Sequence, residues 1–457
     1  MSAIPWRDDS EAPRRIEDHS ALDVGSLIDS RPMSRLQVMV AVLCALAVFF
    51  DGYDIQVMAL AVPALAREWG LPPSSFGPAL AAVVVGLTLG AAVLAPLGDR
   101  FGRRTLLILS LLLIGVTTAC TALATSPWQF TAWRFLTGIG LGMCMPNCNA
   151  WTAEYAPLRR RALVVVLMNT AIGIGAFSAG FAAPVLIELW SWRAAFVVGG
   201  VAPLLIALLL FVCAPESLKF LVARRPNDPR IAAILRRIAP EIDTSLVRAS
   251  LPSAAPPAGE APGSVLALLT PAYRSRTLVL WGVLCLNLFT LYLLISWLPT
   301  LLQSAGWPLA DALRGAVMIQ AGGVLGGIVL SLFLDSGRTV PALRAAFLVA
   351  AACLGLFMVV PSGPAWTPML LLVGCGVAGT QLSLNALSTT YYPSAIKATG
   401  TGWAAVIGNL GAMGAPLAGA WIIDRGVPPV NILALLGMPA LLCALGVMLM
   451  RREWQAH

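Results

Sequence analysis

Charged side chains are scarce in this sequence. Asp, Glu, Lys and Arg make up only 11% of its 457 residues, whereas soluble domains usually carry about a quarter. Hydrophobic residues account for 58% of the chain, and the mean hydropathy is +0.82. So few charges on so large an apolar mass exclude an ordinary soluble domain. They indicate a surface that faces the hydrocarbon of a lipid bilayer.

Several other function classes lack their motifs here. The nine Cys stand singly in apolar stretches except for Cys144 and Cys148, which lie on one helical turn, so neither a disulfide framework nor a zinc site is expected. No metal-ligand spacing, P-loop or nucleophile–base set occurs, which argues against an enzyme, a metal or cofactor, and direct ATP drive. The first apolar run begins near Leu36, after a polar segment with seven acidic residues, and is therefore not a signal peptide.

Long apolar runs are what the sequence does contain. A membrane-spanning helix needs roughly 20 apolar residues, and about twelve such runs occur. Between and around them lie a polar N-terminal segment (1–35), a linker rich in Arg, Pro and Ala (214–276) and a tail (451–457). The pattern predicts an all-α membrane protein with one six-helix bundle over 36–213 and a second over 277–450. The predicted spans are 36–60, 76–98, 105–124, 127–150, 162–187, 195–213, 277–302, 312–334, 341–360, 366–388, 398–422 and 430–450.

Basic residues predict which way the chain faces, because Lys and Arg accumulate on the cytosolic side of membrane proteins. Placing the N-terminus inside puts 25 of the 30 basic residues on that side. Both termini and the linker are therefore expected in the cytoplasm. The linker is expected to be partly helical near Pro229–Arg237 and flexible over Pro252–Gly263. The net charge of +8 is then a topology signal, and no nucleic-acid partner is expected.

The two halves of the chain align when one is shifted by 236 residues. Matching polar residues and prolines spread over about 60 residues without a gap, which shared apolar composition does not explain. The alignment predicts two six-helix bundles that arose by duplication and face each other across a midplane cavity. The aligned pairs are Asp99 and Asp335, Gly138 and Gly374, Gly140 and Gly376, Asn149 and Asn385, Tyr155-x-Pro157 and Tyr391-x-Pro393, and Arg161-Ala162 and Lys397-Ala398.

Loop and helix motifs resemble those of the major facilitator superfamily. Gly98-Asp99-Arg100-Phe101-Gly102-Arg103-Arg104 is similar to its signature loop between the second and third helices. Asp335-Ser336-Gly337-Arg338 is a shortened echo of that loop after the eighth span. Arg134-x-x-x-Gly138-x-Gly140-x-Gly142 resembles its fourth-helix motif.

Within the superfamily, the chain resembles the aromatic acid:proton symporter family from about residue 35 to 450. Two positions depart from the usual pattern: Ala95 stands where the loop motif opens with Gly, and Asn409 where this family more often has Arg. The motifs that carry the resemblance are Asp51-Gly52-Tyr53-Asp54, Met145-Pro146-Asn147, Glu154-Tyr155-Ala156-Pro157, Pro215-Glu216-Ser217, Trp297-Leu298-Pro299-Thr300 and Lys397-Ala398-Thr399-Gly400.

The resemblance implies a multi-pass transporter of the bacterial inner membrane. It would import small aromatic carboxylates such as hydroxybenzoates by alternating access, as a monomer driven by the proton gradient and without a cofactor. Its partners would be the aromatic acid, protons and the lipid bilayer. Alternatives are a carrier of another organic acid, an exporter, which Asn409 keeps open, and a sensor that binds its ligand without moving it.

Ionisable groups at bilayer depth are costly and usually functional. Deep in the predicted spans these are Asp51, Asp54 and Arg134, whereas the two His lie at the termini, at positions 19 and 457. Proton binding in the membrane must then fall to carboxylates. Counted from the predicted span ends, Asp54 and Arg134 each lie ~9 Å from the outer face, and Asp51 shares the helix face of Asp54. The three charges are therefore expected to meet as a proton-coupling cluster, with a static ion pair as the alternative.

A coupling hypothesis follows from the charges of this cluster. With both Asp ionised it carries −1 and repels a carboxylate, one proton brings it to zero, and two bring it to +1. At the aligned positions the second half carries Asn287, Thr290 and Leu370. Proton handling is therefore assigned to the first bundle, and the second bundle is expected mainly to shape the substrate site.

Other polar residues are candidates for gating and substrate contact. Asp99, Arg100, Arg103 and Glu154 are expected to form a latch at the cytosolic mouth, although the loop charges also serve topology. An aromatic carboxylate needs stacking surfaces and a few hydrogen-bond donors, although packing is the commoner role of a membrane Trp. The expected substrate contacts are Tyr53, Arg134, Asn149, Trp151, Tyr292, Gln381, Asn385 and Asn409.

Overall fold

The part of the chain that the structure describes contains twelve long helical segments. The computed structural model describes residues 22–29, 31–225, 228–238, 249–250, 268–271, 273–334, 338–390, 392 and 394–454. The flexible run expected at Pro252–Gly263, the loop echo at Asp335–Gly337, and Tyr391 and Pro393 lie outside the described residues. The long segments are α1 (Arg35–Trp69), α2 (Pro73–Phe101), α3 (Arg103–Thr121), α4 (Pro127–Tyr155), α5 (Leu158–Leu189), α6 (Trp192–Cys213), α7 (Arg274–Ser304), α8 (Leu309–Leu334), α9 (Thr339–Leu356), α10 (Trp366–Thr390), α11 (Ser394–Asp424), and α12, made of Pro429–Leu435 and Gly437–Trp454.

Eleven of these segments are long and apolar enough to cross a membrane. The other one, α4, is 29 residues long but carries Arg134, Asn147 and Asn149 among its apolar residues. It packs against α2 and α3, which both qualify as spans. The all-α, multi-pass architecture expected from the hydropathy is therefore confirmed.

The two halves repeat the same helix contacts at the offset of 236 residues. A Cβ atom on Gly138 of α4 would lie 2.2 Å from the carbonyl oxygen of Val83 on α2, and one on Gly374 of α10 would lie 2.2 Å from that of Ile319 on α8. Only Gly allows backbones to approach so closely. The duplication is therefore confirmed in the packing. The same correspondence holds for Gly86 and Gly322, Gly140 and Gly376, and Gly175 and Gly411.

One end of the molecule, which we call the linker side, carries short elements around the linker. The linker contributes the helices Leu218–Arg224 and Pro229–Ile238, the second of which matches the predicted helical stretch. The two-residue strands Leu22–Asp23 and Ala249–Ser250 pair in parallel. The carboxylate of Asp29 accepts hydrogen bonds from the first backbone N–H of α5 and from Arg161. The N-terminal segment is thereby tied to the start of α5.

At the opposite end, which we call the far side, the two halves are packed together. A Cβ atom on Gly180 of α5 would lie 1.6 Å from a methyl group of Val317 on α8, and one on Gly77 of α2 would lie 2.5 Å from the Cβ of Ala420 on α11. Side chains also join the halves here: Ser74 donates to Asp424 at 3.4 Å. The far side is therefore closed.

Toward the linker side the same helices expose apolar side chains. Leu89 and Val93 of α2 are exposed, whereas Leu80 and Val84 near its far end are buried. The exposed residues on the other three helices of the interface are Leu163, Val166 and Leu167 of α5, Leu325, Ile328, Val329 and Leu332 of α8, and Val406 and Leu410 of α11. Such exposed apolar surfaces suit contact with the hydrocarbon of a bilayer.

Candidate functional site

Asp54 and Arg134 form an ion pair inside the first half. Arg134 donates two hydrogen bonds to the Asp54 carboxylate, at 3.0 and 2.5 Å, and both side chains are closed to solvent. The Thr118 hydroxyl of α3 donates to the same carboxylate at 3.0 Å, and the guanidinium lies 5.6 Å from the ring centre of Phe196 on α6. The pair therefore joins α1 to three other helices, and Arg134 does not reach the space between the halves.

Asp51 lies one turn away from this pair and has a different partner. Its side chain is buried and faces the Cys144 thiol of α4. Cys144 in turn lies 3.9 Å from Cys148, sulfur to sulfur. Among the described residues, no Lys or Arg forms an ion pair with Asp51. The structure thus brings together two of the three predicted cluster members and leaves the third, Asp51, without a cation among the described residues.

The predicted depth of Asp54 needs a correction. The first helix does not end near residue 60 but continues through Pro63 to Trp69. Asp54 is therefore ~22 Å from the end of its helix instead of ~9 Å, whereas Arg134 is ~10 Å from the start of α4. The prediction for α1 was wrong because a Pro inside an apolar stretch does not end a membrane helix when neighbouring helices support it.

Three of the four predicted latch residues meet at the linker side. Arg103 forms an ion pair with Asp99 one turn earlier and lies 3.6 Å from Glu154, measured from Nε to Oε1. Arg103 also donates to the Asn147 side chain at 3.3 Å. Arg100 is exposed and forms no ion pair with any described residue. The network joins the end of α2 and the start of α3 to the end of α4, all within the first half.

Glu216 is a further member of this region that the candidate set missed. Its carboxylate accepts from the Arg104 backbone N–H at 3.0 Å and from the Thr105 hydroxyl at 3.3 Å, and so caps the start of α3. Gly102 has a φ of 102°, and a Cβ there would lie 2.4 Å from Glu216 Oε2. Glu216 lies in the motif Pro215-Glu216-Ser217, but the sequence alone assigned no role to any single residue of that motif.

Amide side chains form two chains of hydrogen bonds, one in each half. In the first half Asn169 of α5 donates to Asn149 of α4 at 2.7 Å. In the second half Asn287 of α7 donates to Gln381 of α10 at 2.8 Å, and Gln381 donates to Asn385 at 3.0 Å. Asn149, Gln381 and Asn385, all predicted contacts, are therefore part of these chains. Asn169 and Asn287, the counterpart of Asp51, complete them.

The remaining predicted contacts divide between the interior and the cavity. Tyr53 is buried in the first half and donates to the Ala195 carbonyl at 3.3 Å, and Trp151 is fully buried against Tyr155. In this conformation neither residue reaches the space between the halves. Asn409 is half-buried on α11.

Tyr292 lines an apolar slot between α1, α2 and α7. The slot is narrow, with a cavity volume of about 20 Å³, and its walls include Ile55, Met58, Val83, Leu87 and Ser296. Asp51 precedes Ile55 by four residues and Met58 by seven, so these three residues share one face of α1. The slot and the unpaired carboxyl therefore lie along the same side of that helix.

Comparison with known proteins gives one family and several relatives. The Major Facilitator Superfamily model matches residues 44–416. The chain is 36% identical to "4-hydroxybenzoate transporter PcaK" of Acinetobacter baylyi, over 94% of each chain. It is 34% identical to "Gallate transporter" of Pseudomonas putida, over 93% of this chain and 94% of that protein. Its fold is similar to the inward open xylose transporter XylE from E. coli, with a TM-score of 0.68 at 18% identity over 90% of this chain and 95% of that one.

Proposed function

The chain belongs to the Major Facilitator Superfamily, and from this premise we propose that it imports small aromatic carboxylates together with protons by alternating access. The substrate class is supported by the relatives, whose names specify 4-hydroxybenzoate and gallate transport. Both of these compounds are hydroxylated benzoates. The apolar slot beside Tyr292 offers a surface on which an aromatic ring can lie.

The observation that carries the proton-coupling proposal is the unequal pairing of the two carboxyl groups on α1. Asp54 is neutralised by Arg134, so the ion pair contributes no net charge. Asp51 is buried without a cation, and an ionised carboxylate in such a place is strongly disfavoured unless it is paired. Protonation of Asp51 removes that uncompensated charge. Asp51 is therefore the proton-binding group of the mechanism.

This assignment changes the charge count expected from the sequence. The site carries −1 when Asp51 is ionised and zero when it is protonated, because Asp54 and Arg134 cancel. A substrate carboxylate is repelled by the first state and admitted by the second. Each aromatic anion is then carried with one proton.

The conformational cycle follows from the packing of the two halves. With the linker side taken as cytosolic, the contacts of Gly77 and Gly180 close the outer side, and we take the space between the halves to open toward the cytoplasm. Opening to the outside separates these contacts and brings the exposed linker-side helices together. The latch of Asp99, Arg103 and Glu154 lies at the helix ends that must meet in that state.

The test is uptake of radiolabelled 4-hydroxybenzoate and benzoate into proteoliposomes, with and without an inside-alkaline pH gradient. The proposal expects accumulation above equilibrium that requires the gradient and disappears with a protonophore. Equal uptake under both conditions refutes the proton coupling. Saturable binding without any accumulation indicates a sensor, and neither binding nor uptake of either acid refutes the substrate class.

A further inference from the structure

The amide chains of the two halves share an arrangement that fixes which atoms face the cavity. In each half one amide group donates through its NH₂ to a backbone carbonyl. The buried Asn287 reaches a carbonyl of the neighbouring α10, and the half-buried Asn169 reaches one four residues earlier on its own helix. Asn287 donates to the Val377 carbonyl at 3.2 Å, and Asn169 donates to the Val165 carbonyl at 2.9 Å. Because a carbonyl oxygen only accepts, the NH₂ groups of Asn287 and Asn169 must point to these carbonyls.

This anchoring sets the orientation of the other amides. The NH₂ of Asn287 also donates to the side-chain oxygen of Gln381. The NH₂ of Gln381 is therefore directed to Asn385. Asn385 then uses its oxygen as the acceptor, and its NH₂ remains available. By the same logic Asn149 uses its oxygen for Asn169 and keeps its NH₂ available. Among the described residues, neither NH₂ group has a hydrogen-bond partner.

A second observation marks both anchoring amides. The side-chain oxygens of Asn287 and Asn169 are buried and accept no hydrogen bond from any described residue. A buried polar atom without a partner costs stability, and such atoms in a native protein need an explanation. The same defect at the anchoring amide of both halves indicates that amide orientation is maintained at the expense of stability.

The two available NH₂ groups belong to equivalent positions of the two halves. Asn149 and Asn385 occupy equivalent positions under the 236-residue offset, on α4 and α10. Asn169, the partner of Asn149, shares a face of α5 with Gly173, whose Cβ position lies 3.0 Å from Val324 of the second half. Asn385 is exposed and follows Gln381 by one turn, on the face of α10 that meets α7. Tyr292 of α7 lines the slot between the halves.

We propose that Asn149 and Asn385 form a two-sided clamp for the carboxylate of the substrate, with Asn169 and the Asn287–Gln381 pair acting as positioning residues. A carboxylate has two oxygens that only accept hydrogen bonds, so one donor from each half suits it. A phenol hydroxyl also donates, and two NH₂ groups do not satisfy that donor. This clamp takes the place of Arg134, whose guanidinium is closed off inside the first half. The inference rests on the proposed function, because it names how that substrate is held.

The test is calorimetric titration of the purified full-length protein with benzoate and 4-hydroxybenzoate at one fixed pH. Asn385→Asp and Asn149→Asp each exchange a donor for an acceptor of the same shape. Both variants are expected to weaken binding of both acids by about tenfold or more, with the ratio of the two affinities unchanged. Asn385→Ser retains a donor and is expected to lose less. Asn431→Asp, at an exposed position on the far side, is the control and should bind as wild type.

The positioning role has its own readout. Asn287→Leu should weaken binding in the wild-type background but have no further effect when Asn385 is already Ala, since no orientation is then left to fix. If Asn287→Leu weakens binding equally in both backgrounds, Asn287 has only a structural role and its positioning role is overturned. Unchanged benzoate affinity in the Asp variants, or a loss confined to 4-hydroxybenzoate, overturns the clamp alone. Wild-type protein that binds neither acid overturns the proposed function together with this inference.

Discussion

Asp54 and Arg134 are held to each other by two hydrogen bonds across α1 and α4, with side chains only 1% and 0% exposed to solvent. The carboxylate also receives the Thr118 hydroxyl, and the guanidinium faces the Phe196 ring. Removing either charge leaves the other buried. In the second half the equivalent positions carry Thr290 and Leu370, which are both buried as well. The same helix crossing is therefore built once with an ion pair and once without it.

The ion pair gives the first prediction. Asp54→Asn leaves the Arg134 charge uncompensated, and loss of one partner of a buried pair costs about 3–5 kcal/mol. The double variant Asp54→Thr/Arg134→Leu copies the second half and removes both charges, so it should recover most of that loss. The unfolding temperatures of the single and the double variant are measured in detergent by intrinsic fluorescence and compared with that of the wild type.

A double variant as unstable as the single one would show that the damage comes from lost packing and not from the unpaired charge. The comparison also bears on transport. Loss of uptake in Asp54→Asn says something about transport only if the protein is still folded.

Asp51 gives the second prediction. Asp51→Asn imitates the protonated carboxyl in shape and charge, and Asn stands at the equivalent position 287 of the second half. The variant should remain folded, lose gradient-driven accumulation, and retain exchange of internal for external substrate. Proteoliposome uptake with a pH gradient and counterflow without one measure the two activities. Accumulation that still follows the gradient in this variant would remove Asp51 from the coupling mechanism.

The far-side seal gives the third prediction. Gly180→Val places a side chain where even a Cβ would lie 1.6 Å from Val317, so the two halves cannot close there. Uptake should fall to the level of empty vesicles, because the state open to the cytoplasm needs this contact. Gly282→Val is the matched control, since a Cβ at Gly282 meets no atom within 4 Å. If both variants transport equally well, the seal does not depend on this crossing.

Glu216 gives the fourth prediction. Glu216→Ala removes the acceptor for the Arg104 N–H and the Thr105 hydroxyl, and loss of such a cap costs about 0.5–2 kcal/mol. Glu216→Gln keeps one acceptor oxygen and should lose less. The free energy of unfolding from denaturant titration orders the variants, with Glu188→Ala at an exposed position as reference. A Gln variant no better than the Ala variant would indicate that the carboxylate charge, and not the cap, is what matters.

Much of the fold was contained in the sequence. Apolar runs of membrane-spanning length identify the helices because hydrocarbon requires such runs wherever the chain crosses it. The 236-residue offset is equally explicit, and it reappears in contacts such as Gly138 with Val83 and Gly374 with Ile319. The ends of helices were harder to predict from the sequence. In α1, Pro63 and the polar residues after it do not end the helix, because neighbouring helices support it.

The sequence by itself determined which groups of this protein carry charge at membrane depth, namely Asp51, Asp54 and Arg134, because composition alone makes such groups rare and visible. Only the tertiary structure decided which of them pair. Residues three apart on a helix share a face, yet Asp54 meets Arg134 while Asp51 meets Cys144, because each direction around α1 is occupied by a different residue of α4. Periodicity fixes the face of a helix, whereas the partner across it depends on how neighbouring helices are placed in space.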